Sequence, residues 1–72
     1  MEEFMFLGLR MIEGVRREEF EKSFGIAMEE VYGTELKRLQ QENLLLQEDG
    51  RIRLTEKGID VSNYVLSMFI KN

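Results

Sequence analysis

Apolar positions recur at helical spacing from Glu2 to Glu13 and stop at Gly14; Arg16 to Phe24 stops in the same way at Gly25, and Met28 to Tyr32 at Gly33. Glycine just beyond a periodic run readily takes the left-handed conformation that closes a helix, so the pattern predicts three helical segments. Thr34 offers an N-cap hydroxyl to a fourth, Glu35 to Glu42, in which Leu36 and Leu39 share a face and Asn43 supplies the left-handed stop. Two short runs, Leu44 to Glu48 and Arg51 to Leu54, then flank Asp49-Gly50, the dipeptide that most strongly favours a two-residue hairpin turn. With the turn there, Gln47 faces Ile52 and Leu45 faces Leu54 on one side, while Glu48 faces Arg51 and Leu46 faces Arg53 on the other. The side carrying Leu45, Ile52 and Leu54 turns inward. Thr55 caps a last helix from Glu56 to about Ile70. The expected fold is mainly α with one β-hairpin, a small α+β domain in a winged-helix-like order of helix, helix, helix, hairpin, helix. With no proline, linker or repeat to divide them, residues 1–72 are expected to form a single domain.

The two terminal helices carry more apolar surface than a small domain can hide. On a wheel of ~100° per residue, Phe4, Met5, Leu7, Gly8, Leu9, Met11 and Ile12 fill an arc of about 200°, and Phe6 lies outside it. In the last helix Ile59, Val61, Tyr64, Val65, Leu66, Met68, Phe69 and Ile70 span about 240°. A domain of this size gives almost every element a solvent side, so part of that surface is expected to dock against something outside the chain or to drive self-association. The expected docking surface is Phe6, Val61, Tyr64 and Met68.

Composition removes most chemistry. The 72 residues include no cysteine and no histidine, so there is no disulfide, thiolate nucleophile, soft metal site or imidazole base. No catalytic, cofactor-binding or metal-binding residue is expected. Paired carboxylates such as Glu18-Glu19 and Glu29-Glu30 point about 100° apart on a helix and read as a solvated face. Among the methionines, Met5, Met11 and Met68 fall on apolar helix arcs as core or docking surface, and Met1 and Met28 are uncommitted. A DNA-reading helix would be Thr34 to Glu42, presenting Lys37, Arg38 and Gln41, with Arg51 and Arg53 on the wing. Over residues 34–57, however, Lys37, Arg38, Arg51, Arg53 and Lys57 are matched by Glu35, Glu42, Glu48, Asp49 and Glu56, and the chain carries a net charge of −4. That is no basic footprint, so no nucleic-acid partner is expected, and Arg38–Glu42 and Glu48–Arg51 are expected to pair. No apolar run approaches the ~20 residues of a membrane helix and the Glu2-Glu3 start is unlike a signal peptide, which points to a cytoplasmic protein.

Several stretches of the sequence carry a resemblance. Met5-Phe6-Leu7-Gly8-Leu9-Arg10, Gly14-Val15, Phe20, Phe24-Gly25, Tyr32, Leu39, Asn43-Leu44-Leu45, Arg53-Leu54-Thr55-Glu56-Lys57-Gly58 and Ser62-Asn63 together resemble the C-terminal domain of the oxygen-independent coproporphyrinogen III oxidase family. These are radical S-adenosylmethionine proteins of haem biosynthesis, with haem chaperones among their close relatives. The resemblance implies a non-catalytic C-terminal docking or lid domain partnered by a radical S-adenosylmethionine barrel. That barrel would use a 4Fe-4S cluster and S-adenosylmethionine, and the parent would oxidatively decarboxylate coproporphyrinogen III or, in the close relatives, deliver haem. Two features depart from the family. Asn43 stands where a Gly is usual, and the Cys-x-x-x-Cys-x-x-Cys motif that holds the cluster is missing, as an excised C-terminal piece would lack it. A DNA-binding winged-helix regulator is the alternative.

Overall fold

A computed structural model of the chain describes residues 1–70. The elements run α1 (Glu2–Leu9), β1 (Val15–Arg16), α2 (Arg17–Phe24), α3 (Met28–Gln41), β2 (Leu45–Glu48), β3 (Arg51–Leu54), α4 (Glu56–Asp60) and α5 (Ser62–Ser67). Helices surround a small antiparallel sheet of order β1-β3-β2, which makes the architecture mainly α with a minor β component.

The hairpin forms where its turn chemistry requires it. Asp49 and Gly50 both take positive φ, 52° and 74°, so the two-residue turn follows the right-handed twist of the strands. The register is Leu45 opposite Leu54, Leu46 opposite Arg53, Gln47 opposite Ile52 and Glu48 opposite Arg51. Leu45, Ile52 and Leu54 are buried, while Leu46 on the other face is exposed. Asn43 closes α3 at φ 63°, the left-handed position that Asn tolerates better than most residues. Thr55 then ties hairpin to helix: its hydroxyl accepts from the Gly58 N–H at 3.0 Å and donates to the Asn43 carbonyl at 2.8 Å.

Three boundaries differ from the sequence expectation. The first helix ends at Leu9, and residues 10–13 form a loop that leads Gly14-Val15-Arg16 alongside β3, with Val15 opposite Ile52 and Arg16 opposite Arg51. A third strand therefore extends the hairpin. Two residues are too few to show strand periodicity, and the gain comes from a pairing distant in sequence. Second, the stop expected at Gly33 falls one residue earlier, as a kink at Tyr32 that joins two helical stretches, and Thr34 caps nothing. Residues 28–41 run on as α3, bent at Tyr32 (φ −120°, ψ 18°), whose ring is buried against Phe20 and Phe69. Third, the last helix breaks at Val61 (φ −118°, ψ 35°) into α4 and α5, the second of which closes at Ser67. The break lets α4 follow from the Thr55 cap while α5 turns Val65, Leu66 and the following Phe69 into the core.

The core is one cluster drawn from every element except α4. Its centre is aromatic: Phe20 meets Phe4, Phe24 and Tyr32 at ring-centroid distances of 5.6, 4.8 and 6.2 Å, and Tyr32 meets Phe69 at 5.0 Å, mostly edge to face. Burial raises the Tyr32 phenol above its ordinary value of 10.0, with Glu2 and Glu35 adding to the effect. The unfolded chain then gives up that proton first. The Tyr32 contribution to stability is complete below pH ~10 and is lost as pH rises through the higher folded value. Urea titrations between pH 8 and 11 should show stability falling at the alkaline end. In Tyr32→Phe that part of the decline should vanish; an equal alkaline decline in the variant would show that another group is responsible.

Candidate docking surface

A few charged side chains hold elements together. Arg17, at the start of α2, pairs with Glu29 of α3 and donates to the Gln47 side chain of β2 at 2.6 Å. Gln47 also accepts from Gln40 at 3.3 Å, so one exposed face is laced across α2, α3 and β2. Glu29 lies on the solvated face the sequence implies and still pairs there, whereas the sequence gives Arg17 no part. The doubled Arg16-Arg17 at a strand-to-helix junction is the available signal: Arg16 lies opposite Arg51 in the sheet, and Arg17 begins the helix with its N–H on the Gly50 carbonyl.

The would-be reader helix has the balanced character its composition implied. Lys37, Arg38 and Gln41 are exposed on α3, and Arg38 meets Glu42 at 3.5 Å across one helical turn. On the hairpin, Glu48 lies opposite Arg51 as expected, but its ion pair is the diagonal one, with Arg53 at 3.7 Å. A diagonal neighbour in an antiparallel pair remains within reach of a long side chain such as Arg.

The four residues expected to form a docking surface divide. Val61 and Tyr64 are exposed; Phe6 and Met68 are half-buried against the core cluster. Tyr64 also anchors α5 to the end of α3, its hydroxyl donating to Glu42 at 3.0 Å. Among the methionines, Met5 and Met28 are core residues, whereas Met11 lies at the surface. Ile12, Met11, Ile59 and Leu7 are 93, 60, 61 and 59% exposed, more than any of the expected four. Met11 and Ile12 left the helical face on which the sequence pattern placed them when α1 stopped at Leu9. Between their loop and α4 runs an apolar groove of about 240 Å³, floored by Leu9 and Leu54, walled by Met11, Ile12 and Ile59, and edged by Arg10 and Arg53.

The chain offers no donor set for an iron-sulfur cluster, having neither cysteine nor histidine. Among the described residues no group of three or more acidic side chains could hold a metal ion, and no helix is long and apolar enough to cross a membrane.

The HemN C-terminal domain family matches residues 1–61. Two curated relatives are the heme chaperone HemW of Lactococcus lactis subsp. lactis (strain IL1403), 40% identical over 70 residues, and the heme chaperone HemW of Bacillus subtilis (strain 168), 31% identical over 70 residues. In each, the match takes in 97% of this chain but 18% of the relative, so the chain spans less than a fifth of the length of the proteins it resembles. No solved structure matches the chain.

Proposed function

Because the chain belongs to the HemN C-terminal domain family, we propose that it is the non-catalytic docking or lid domain of a larger, haem-related radical S-adenosylmethionine protein. The observation that carries this reading is the joint one of a family match over most of the chain and a surface on which nine large hydrophobic side chains are exposed among the described residues. So much apolar surface on so small a domain fits a module that spends its working life against another. We read the element order, with β1 added to the hairpin, as winged-helix-like.

The larger protein would hold its 4Fe-4S cluster, and S-adenosylmethionine beside it, in its own barrel, because this chain has no cysteine to ligate a cluster. The domain would act by position: resting on the barrel, it would narrow the opening to the reacting centre, limit the entry of water, or guide a tetrapyrrole past it without supplying a reacting group. Of the expected docking residues Phe6, Val61, Tyr64 and Met68, the exposed Val61 and Tyr64 would be the ones most available for that contact. The names of the curated relatives favour haem delivery as the larger protein's work, with oxidative decarboxylation of coproporphyrinogen III as the neighbouring activity of the family. Soluble operation in the cytoplasm accords with both.

The reading frame upstream of Met1 tests this directly. It should encode a Cys-x-x-x-Cys-x-x-Cys motif within a barrel-length segment, and the longer product should take up a 4Fe-4S cluster on anaerobic reconstitution while the 72-residue chain takes up none. A stop codon immediately upstream, or a long product without iron and sulfide, would overturn the proposal.

A further inference from the structure

The geometry points to the groove between the 10–13 loop and α4 as the seat of the segment that precedes this domain in the larger protein. This inference rests on the proposed function and names the surface through which it acts. Ile12 is 93% exposed, and the next wall residues, Met11 and Ile59, are about three-fifths exposed. An isoleucine so placed gains nothing from folding, because its side chain is as wet as in the unfolded chain. The hollow beside it is a concave surface with a buried apolar floor in Leu9 and Leu54, whereas Phe6 and Met68 already spend much of their area on the core.

Two observations identify the occupant. The first is where the missing chain would enter. Most of the relatives' length lies outside the region matched here, and the family is a C-terminal domain, so the larger protein's preceding chain would arrive at Met1. Met1 begins α1, and the groove lies at the other end of that helix. Eight residues at ~1.5 Å each separate them by only about 12 Å. A body joined at Met1 is thus held beside the groove at high effective concentration without any need for strong intrinsic affinity.

The second is charge. Among the described residues the ionised side chains lining the groove are Arg10 and Arg53, in a chain that is acidic overall. Arg53 is shared with Glu48, while Arg10 has no ion pair among the described residues. The adjoining hollow, which shares Ile12 and Arg53 with the groove, is lined by Glu13, Glu48, Asp49 and Arg51, so carboxylates already stand on the Arg53 side while Arg10 lies away from them. The occupant is accordingly an apolar side chain or two from the preceding segment, flanked by a carboxylate that meets Arg10.

Hydroxyl-radical footprinting of the 72-residue chain beside the longer product tests the assignment, with labelling read at Met11, Ile12 and Ile59 and, as the comparison edge, at Tyr64 and Met68. In the longer product, labelling at Met11, Ile12 and Ile59 should fall several-fold. Ile12→Asp in the longer product should return Met11 labelling toward its level in the short chain, and Arg10→Glu should do so in part. Neither substitution touches a buried side chain, so the melting temperature of the 72-residue variants should match the parent sequence. Protection confined to Tyr64 and Met68 would overturn the groove while leaving a docked domain intact. Equal labelling throughout in the two proteins would overturn the docking reading as well.

Discussion

Gly14→Ala should unfold much of the population at room temperature in a few molar urea, conditions the parent chain survives. Gly14 sits at φ 78°, a conformation that costs a side-chain-bearing residue about 1–2 kcal/mol. Its neighbours leave no room in addition. A methyl group there would run into the Ile52 carbonyl oxygen and lie 2.7 Å from the Arg53 Cβ, and the carbonyl belongs to the backbone of the central strand, which cannot step aside without breaking the sheet. Overpacking of this kind adds roughly 1–3 kcal/mol. Together the two costs take a large part of the roughly 5–15 kcal/mol that stabilises an ordinary domain, and one this small sits toward the lower end. Gly33→Ala is the matched control. It lies within α3 with nothing near the position a methyl would occupy, and its φ is not positive, so alanine there should stabilise by about 0.5–1 kcal/mol. Urea midpoints by circular dichroism measure both. A Gly14→Ala midpoint equal to that of the parent would show that β1 can leave the sheet at little cost.

That pair of glycines shows where the sequence was legible. Gly33 and Gly14 look alike on paper, each following an apolar run, and only the fold separates them. What the sequence did specify was local: Asp49-Gly50 dictated the turn and through it the whole register, Thr55 carried its own cap, and Asn43 its own stop. The unread features depend on partners far along the chain. Val15-Arg16 is a strand only because Ile52 and Arg51 are already paired with the other arm of the hairpin. The kink at Tyr32, by contrast, lies one residue from the stop the sequence offers at Gly33; what the sequence leaves out is that the chain resumes as helix beyond it, within α3. The same dependence hid the groove. As long as Glu2 to Glu13 counted as one helix, Met11 and Ile12 belonged to its apolar arc; pulling the chain into β1 ends the helix early and leaves both side chains in a loop at the surface. An excess of apolar residues on the terminal segments was visible from the sequence, but its location was not.

Phe20→Ala carries the other large expected effect. The Phe20 ring is fully buried and stands at the meeting point of α1, α2 and α3, touching Phe4, Phe24 and Tyr32. Removing it leaves a cavity that three other rings border, and these cannot all close in because Tyr32 is held in turn by Phe69. Truncation of a core phenylalanine costs about 3–5 kcal/mol, and the lost edge-to-face contacts lie within that figure rather than on top of it. In a domain of this size such a loss should bring the melting transition close to room temperature. Ile12→Asp, by contrast, alters a side chain already in water and should stay within about 0.5 kcal/mol of the parent. The two variants separate folding from docking. Phe20→Ala should abolish protection of the domain in the longer protein together with its helical circular dichroism signal, while Ile12→Asp should weaken protection of the groove with that signal unchanged. A Phe20→Ala chain that melts within a few degrees of the parent would mean that the aromatic cluster is not what holds α1 and α2 to α3, and that the hairpin and α5 carry the fold instead.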